Sequence, residues 1–333
     1  MLVFFFSYSL SANATEVHPK LQWSRCTKAG CTKVNAFVVH DKHIGDVAHR
    51  GADQLDYEKE VGVVTSGGTI SQRLVSTYKG KKVIGSRLYL MTEDDKYYQL
   101  FNFVGKEITY TVDMSQIPCS VNAALYTSEM PKGGKPTKDD ANLGAQGGTG
   151  YCDANCVDGG CCPEFDIQEA SSKAMVFTAH TCQTPTNGCD SSGCGYNPYR
   201  DSKDKTFWAV GGKVDVSKPV TVVTQFVSVG TSLSEVKRKY VQGGKVIEAA
   251  QSLNDKFCNW NGGQGRSMSA MGASFTRGHV LVFSLWDGDG MSWMDGGNAG
   301  PCTSYSHTQV EATSPNLKVT WSNIKFGDID STY

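Results

Sequence analysis

Apolar and polar residues alternate with a period of two along many short stretches of this chain. VNAFVVHD, GGTISQRLVST, SRLYLM, YYQLFNF, EITYTVDM, AALYTSEM, KAMVFTAH, TVVTQFVSV, KRKYVQGGKVIEA, HVLVFSLW and LKVTWSNIKFG all read as strands. Strands alternate in this way when one face meets a core and the other meets solvent or ligand. Helical periodicity is scarce: QVEA and SQIPCS have the length of single turns, and MSAMGASF reads as a short helix or a loop. About a dozen strands without βαβ alternation predict an all-β fold, a large antiparallel β-sandwich or jelly roll. If one sheet curves, its concave face offers an open cleft.

Composition narrows the partners. The chain has 333 residues, with 32 basic against 33 acidic side chains and no basic block, so nucleic acid is not expected as a partner. Its 36 glycines and aromatic content of 10% suit short strands joined by tight turns. No run reaches the ~18 to 20 apolar residues of a membrane span, and no membrane partner is expected. Length alone allows one large β domain or two ordinary ones. With no repeat, low-complexity linker or stalk to mark a second module, one domain over 15–333 is the reading, as a monomer and without a carbohydrate-binding module. Residues 1–14 read as a signal peptide. Leu2 to Leu10 are apolar and Ala12-Asn13-Ala14 is a small-x-small cleavage pattern, although the usual basic segment is missing.

The cysteines agree with export. Twelve are present, at 26, 31, 119, 152, 156, 161, 162, 182, 189, 194, 258 and 302, and their spacings do not form the paired knuckles of a zinc site. Disulfides and a secreted, extracellular protein are the better account. The vicinal pair Cys161-Cys162 is expected to reach two different partners, with Cys152 and Cys156 the nearest candidates.

Behind that pair stands CCPEFDIQEAS, with three carboxylates in six residues. Alternation puts Glu164 and Asp166 on one face of a strand and Phe165 and Ile167 on the core face. Strict alternation would then turn Glu169 away from the other two acids. A β-bulge after Asp166 would bring it back, and bulges are enriched beside active sites. Two carboxyls ~5 to 5.5 Å apart are what a retaining glycosidase needs, one as nucleophile and one as acid/base. A third between them can tune both.

The stretch resembles the catalytic strand of glycoside hydrolase family 7, the fungal-type cellulases, whose pattern is C-C-x-E-x-D-I-x-E. SRLYLM, TVDMSQIPC, NAALY, GTGYCDANC, TAHTC, GCGYNPYR, TVVTQF, VLVFSLWD, NAGPC and VTWSNIKFGDI follow in family order, so the likeness runs from residue 16 to 333. It implies a concanavalin-like double sandwich with a long cleft, and retaining hydrolysis of a β-1,4-glucan polysaccharide. Carried over, it implies Glu164 as nucleophile, Glu169 as general acid/base, Asp166 in support between them, and His180 near the acid/base. It further implies sugar-binding positions at Arg87, Asn122, Tyr126, Tyr151, Asp153 and Arg200, with Asn155 in place of the more usual glutamine. Trp286 and Trp293 match the family's stacking platforms, and pyranose rings do offer apolar faces to flat aromatics. The implied disulfides are 26–31, 119–302, 152–162, 156–161, 182–189 and 194–258. No cofactor and no metal is expected: the Asp residues of WDGDG and MDGG are explained by Gly-Asp turns.

Family members that thread a chain end do so through a tunnel roofed by long loops. Here the loops are short at CDANCVDGGCC, at KFCNWNGGQGRSMSAMGASF and after Trp286, and NAGPC lacks the arginine of chain-end enzymes. DKHIGDVAHRG has no tryptophan at the far end of the cleft. An endo-acting cellulase is therefore preferred, with a cellobiohydrolase of the same family or an inactive glucan-binding protein as alternatives. The choice among cellulose, mixed-linkage glucan, xyloglucan and chitosan stays open.

Overall fold

The structure is a computed structural model describing residues 16–46, 55–135 and 143–333; the expected signal segment lies outside them. In chain order the principal strands begin with β1 (Lys20–Thr27), β2 (Gly30–His40), β3 (Ser86–Met91), β4 (Lys106–Asp113) and β5 (Val121–Ser128). Then follow β6 (Glu164–Ala170), β7 (Met175–His180), β8 (Cys194–Tyr196), β9 (Val220–Val229), β10 (Ser232–Gln242), β11 (Lys245–Glu248), β12 (His279–Asp287) and β13 (Lys318–Asp328). Hydrogen bonds connect them in the order β8-β7-β6-β5-β12-β3-β2-β1-β13-β4-β9-β10-β11. Every junction is antiparallel except β1 with β13, which run parallel over Ser24–Cys26.

This ribbon folds over on itself, so its two halves face each other as a sandwich. Across the core Phe165 of β6 packs edge-on against Phe226 of β9 at 5.1 Å, and Phe283 of β12 meets Trp321 of β13. Tyr110 of β4 donates its hydroxyl to Gln168 of β6 at 3.0 Å. The outer half shows the expected alternation: in β10, Leu233, Val236 and Tyr240 point inward while Ser232 and Lys237 are exposed. The half bearing the cleft does not, since β5 and β7 are buried at every position. Its concave face is sealed at one end by a second apolar cluster that includes Val39, Tyr89, Tyr98, Tyr126 and Tyr151.

MSAMGASF lies in a helix, α1 (Met268–Arg277), whose N-cap Ser267 accepts the Ala270 N–H. Met271 and Phe275 of that helix join the core. QVEA also belongs to a helix (His307–Thr313), whereas SQIPCS forms turns. KRKYVQGGKVIEA proves to be two strands, because Gly243 and Gly244 adopt φ of 57° and 74° and close a hairpin.

Candidate active site

The catalytic-strand candidate is β6, in the middle of the concave half between β5 and β7. Its register on β5 runs from Tyr126↔Asp166 to Leu125↔Gln168, skipping Ile167. On β7 it runs from Asp166↔Thr178 to Glu169↔Val176, three residues against two. This is the expected β-bulge after Asp166. Phe165 enters the core at 0% exposure, while Glu164 and Asp166 look into the cleft and Glu169 is half-buried beside them.

Glu164, Asp166, Glu169 and His180 all line one cavity of about 820 Å³, together with Arg200, Trp286 and Trp293. Ligand-type atoms of Glu164, Asp166 and His180 lie within 4.8 Å of one another. That closeness would suit a cation, and it equally suits a proton held between acidic groups. The hydrogen bonds of His180 favour the proton. Its Nδ1 donates to the carbonyl of Asp190 at 2.7 Å, and its Nε2 faces Asp166 Oδ2 at 3.0 Å. A carbonyl only accepts, so Nδ1 carries hydrogen and one proton completes the contact with Asp166.

Each acid is perturbed in the same direction. Burial, then the charge of Asp166, holds Glu164 well above the ordinary carboxylate range, opposed by His180 and by the Ala154 N–H. Burial, then the charge of Asp153, pushes Asp166 up to about 8. Burial, then Asp166, pushes Glu169 up to about 8, against His180 and the Asn122 amide. The cluster therefore retains protons at neutral pH that separate, solvated carboxyls would release.

Local sequence explains how each acid is held. Cys152–Cys162 and Cys156–Cys161 staple the loop before β6, and that loop delivers the Ala154 N–H to Glu164 Oε2 at 3.1 Å. All six implied disulfides are present. Asn122 of β5 donates to Glu169 Oε1 at 2.9 Å and accepts from the Ala170 N–H at 3.0 Å.

The remaining sugar-binding candidates divide. Arg200 lines the cavity from a short turn capped by Asn197, bonded to Asp201 and to the Gly195 carbonyl. Trp286 and Trp293 are 38% and 44% exposed, whereas Trp23, Trp208 and Trp321 are buried. Arg87, Asn122, Tyr126, Tyr151 and Asp153 are buried, and none lines this cavity. Arg87 pairs with Asp41 at 2.7 Å and lies 3.4 Å above the Tyr151 ring, whose hydroxyl meets that of Tyr126 at 2.9 Å. Asp153 accepts the Val157 N–H at 3.0 Å. Asn155 lines the cavity.

Sequence reasoning missed the segment Ser191–Gly195, which leads into β8 and forms one wall. Its signal is Gly193, at φ 60°, where a Cβ would sit 2.5 Å from His180 Nδ1. Of the WDGDG and MDGG acids, Asp289 accepts the His307 N–H and Asp295 accepts from the Ser171 and Tyr305 hydroxyls.

A β-sandwich with clustered carboxyls and exposed tryptophans lining one cavity is an arrangement suited to a glycoside hydrolase. The chain belongs to glycosyl hydrolase family 7, whose family model matches residues 46–159 and 157–333. Endoglucanase EG-1 of Hypocrea jecorina is 35% identical over 368 residues, covering 95% of this chain and 79% of that protein. The solved Humicola insolens endocellulase EGI superimposes with a TM-score of 0.83 at 32% identity, covering 96% of this chain and 98% of the other. A family 7 cellobiohydrolase from Daphnia pulex superimposes at 0.86 with 27% identity, covering 96% and 99%.

Proposed function

We propose that this chain hydrolyses internal β-1,4-glucosidic bonds of cellulose or a related β-glucan with retention of configuration. The observation that carries the reading is one cavity lined by the three clustered carboxyls of Glu164, Asp166 and Glu169 together with the two exposed tryptophans. Trp286 and Trp293 would stack on pyranose faces on either side of the scissile bond. Glu169, protonated up to about pH 8, would give its proton to the glycosidic oxygen while Glu164 carboxylate attacks the anomeric carbon. The product is a glycosyl ester on Glu164 and a freed chain end. Glu169, now ionised, would take a proton from water as that water attacks the same carbon and releases Glu164. Two inversions leave the configuration unchanged.

Asp166 and His180 serve this sequence by moving charge. A proton held by Asp166 relieves its repulsion of Glu164, so that Glu164 can ionise next to it. Arg200 offers donors to sugar hydroxyls on the tryptophan side of the cleft, and Asn122 holds Glu169 rather than substrate. Arg87, Tyr126, Tyr151 and Asp153, which do not line the cavity, would support the sheet and loop beside the nucleophile.

Endo action is supported by the exposure of both tryptophans and by the endoglucanase relatives. The shared fold of the Daphnia pulex cellobiohydrolase favours chain-end hydrolysis as the second reading. We read residues 15–333 as one catalytic domain, because both halves of the sandwich share one core. We also propose secretion as a monomer, with six disulfides supporting an oxidising compartment.

The test is Glu164→Gln assayed on soluble carboxymethylcellulose. Wild type is expected to cut viscosity early, before many reducing ends appear, while the variant folds but loses at least ~10³-fold of turnover. Reducing ends that rise without a fall in viscosity would favour the chain-end reading. Full turnover by the variant would remove Glu164 as nucleophile.

A further inference from the structure

The row of β10 that faces the sandwich interior reads Val236, Arg238, Tyr240, and all three are buried, with Arg238 only 2% exposed. A charged group there is costly unless it is well bonded. Arg238 is not fully bonded: its Nε and Nη1 have no hydrogen-bond partner among the described residues. Its guanidinium carbon lies 4.2 Å from the centre of the Phe177 ring on β7. Its Nη2 donates across the core to the carbonyl of Ile167.

Ile167 is the residue that both neighbouring strands skip. A bulge leaves its extra residue outside the ladder, so a carbonyl there needs another donor. Without the extra residue, Glu169 would alternate onto the core face, away from Glu164 and Asp166. We infer that Arg238 is a positioning residue for hydrolysis, pinning the β6 bulge from behind so that Glu169 faces the cleft beside Asp166.

This inference rests on the proposed roles of Glu164 and Glu169 and reaches a residue in the opposite half of the sandwich. It also separates position from stability. Methionine fills similar space without a buried charge, and replacing buried charged groups with apolar ones is often neutral or stabilising. A residue kept only for the fold would leave turnover unchanged after that exchange.

The experiment compares wild type, Arg238→Met and Arg238→Lys, measuring kcat, KM and pH profile on carboxymethylcellulose and melting temperature against pH. In Arg238→Met we expect kcat to fall roughly ten- to a hundredfold with KM nearly unchanged, as for a misplaced catalytic group. The basic limb of its pH profile should move to lower pH, because Glu169 leaves the neighbourhood that raises it. Arg238→Lys, which keeps a donor but not the planar fork, should fall between the two. Wild-type kcat and pH profile in Arg238→Met would overturn the inference. If that variant does not fold, the same result in Arg238→Lys would do so. An inactive wild type would instead overturn the proposed hydrolysis. The slope of melting temperature against pH then decides alone, since it needs no turnover: flattening in the variants supports the inference and an unchanged slope overturns it.

Discussion

A carboxyl group held neutral above its ordinary range favours the folded chain only while the solution is acidic enough to keep it protonated. Glu169 is raised from 4.5 to about 8, so the folded state binds its proton more tightly than the unfolded state. The resulting stabilisation is complete below pH 4.5 and is lost as pH rises through about 8. We therefore expect the melting temperature to decline over that interval, and to decline less in Glu169→Gln, whose amide never ionises and whose oxygen can still accept from Asn122. Equal slopes by calorimetry would contradict the assigned burial of Glu169. At this scale the acids were legible because their chemistry is written in six consecutive residues. The Asn122 bond to Glu169 was not, because its partners stand 47 positions apart and only the β5–β6 register joins them.

At the scale of elements, the parity of EFDIQE was informative. An apolar-polar period that must break to place Glu169 with its partners predicts a bulge, and one is present between Asp166 and Glu169. The complete burial of β5 was not legible, since the cluster that packs on it brings Tyr89 from β3 and Tyr98 and Tyr151 from segments distant in sequence. The wall over His180 was also hidden, although Gly193 encodes it. Gly193→Ala would drive a methyl group into the imidazole, displacing the bond to Asp190 and the contact with Asp166. Gly230 provides a control, having the same φ of 60° with nothing within 4 Å of its added Cβ. Both alanines should cost stability through backbone strain of about 1 kcal/mol. Only Gly193→Ala should also lower kcat, by at least roughly tenfold; equal activity of the two variants would show that His180 needs no such clearance.

For the molecule as a whole, the sandwich followed from many strands without βαβ alternation, and the disulfide framework followed from resemblance. The fold-over did not: the parallel junction of β1 with β13 joins the first and last of these strands, and no local pattern announces it. The C-terminal segment is then secured by Glu107, which accepts the backbone N–H groups of Asp330, Ser331 and Thr332. The same burial that builds this core also sorts the six tryptophans optically. Trp23, Trp208 and Trp321 are enclosed and Trp260 is half-buried, leaving Trp286 and Trp293 as the indoles most open to water, both in the cleft. Acrylamide should therefore quench chiefly these two rings, and cello-oligosaccharide added to Glu164→Gln should shield them. Undiminished quenching at saturating sugar would mean that neither ring lies under substrate. The intrinsic emission of the protein thus becomes a gauge of how much of its cleft is occupied, with no label attached.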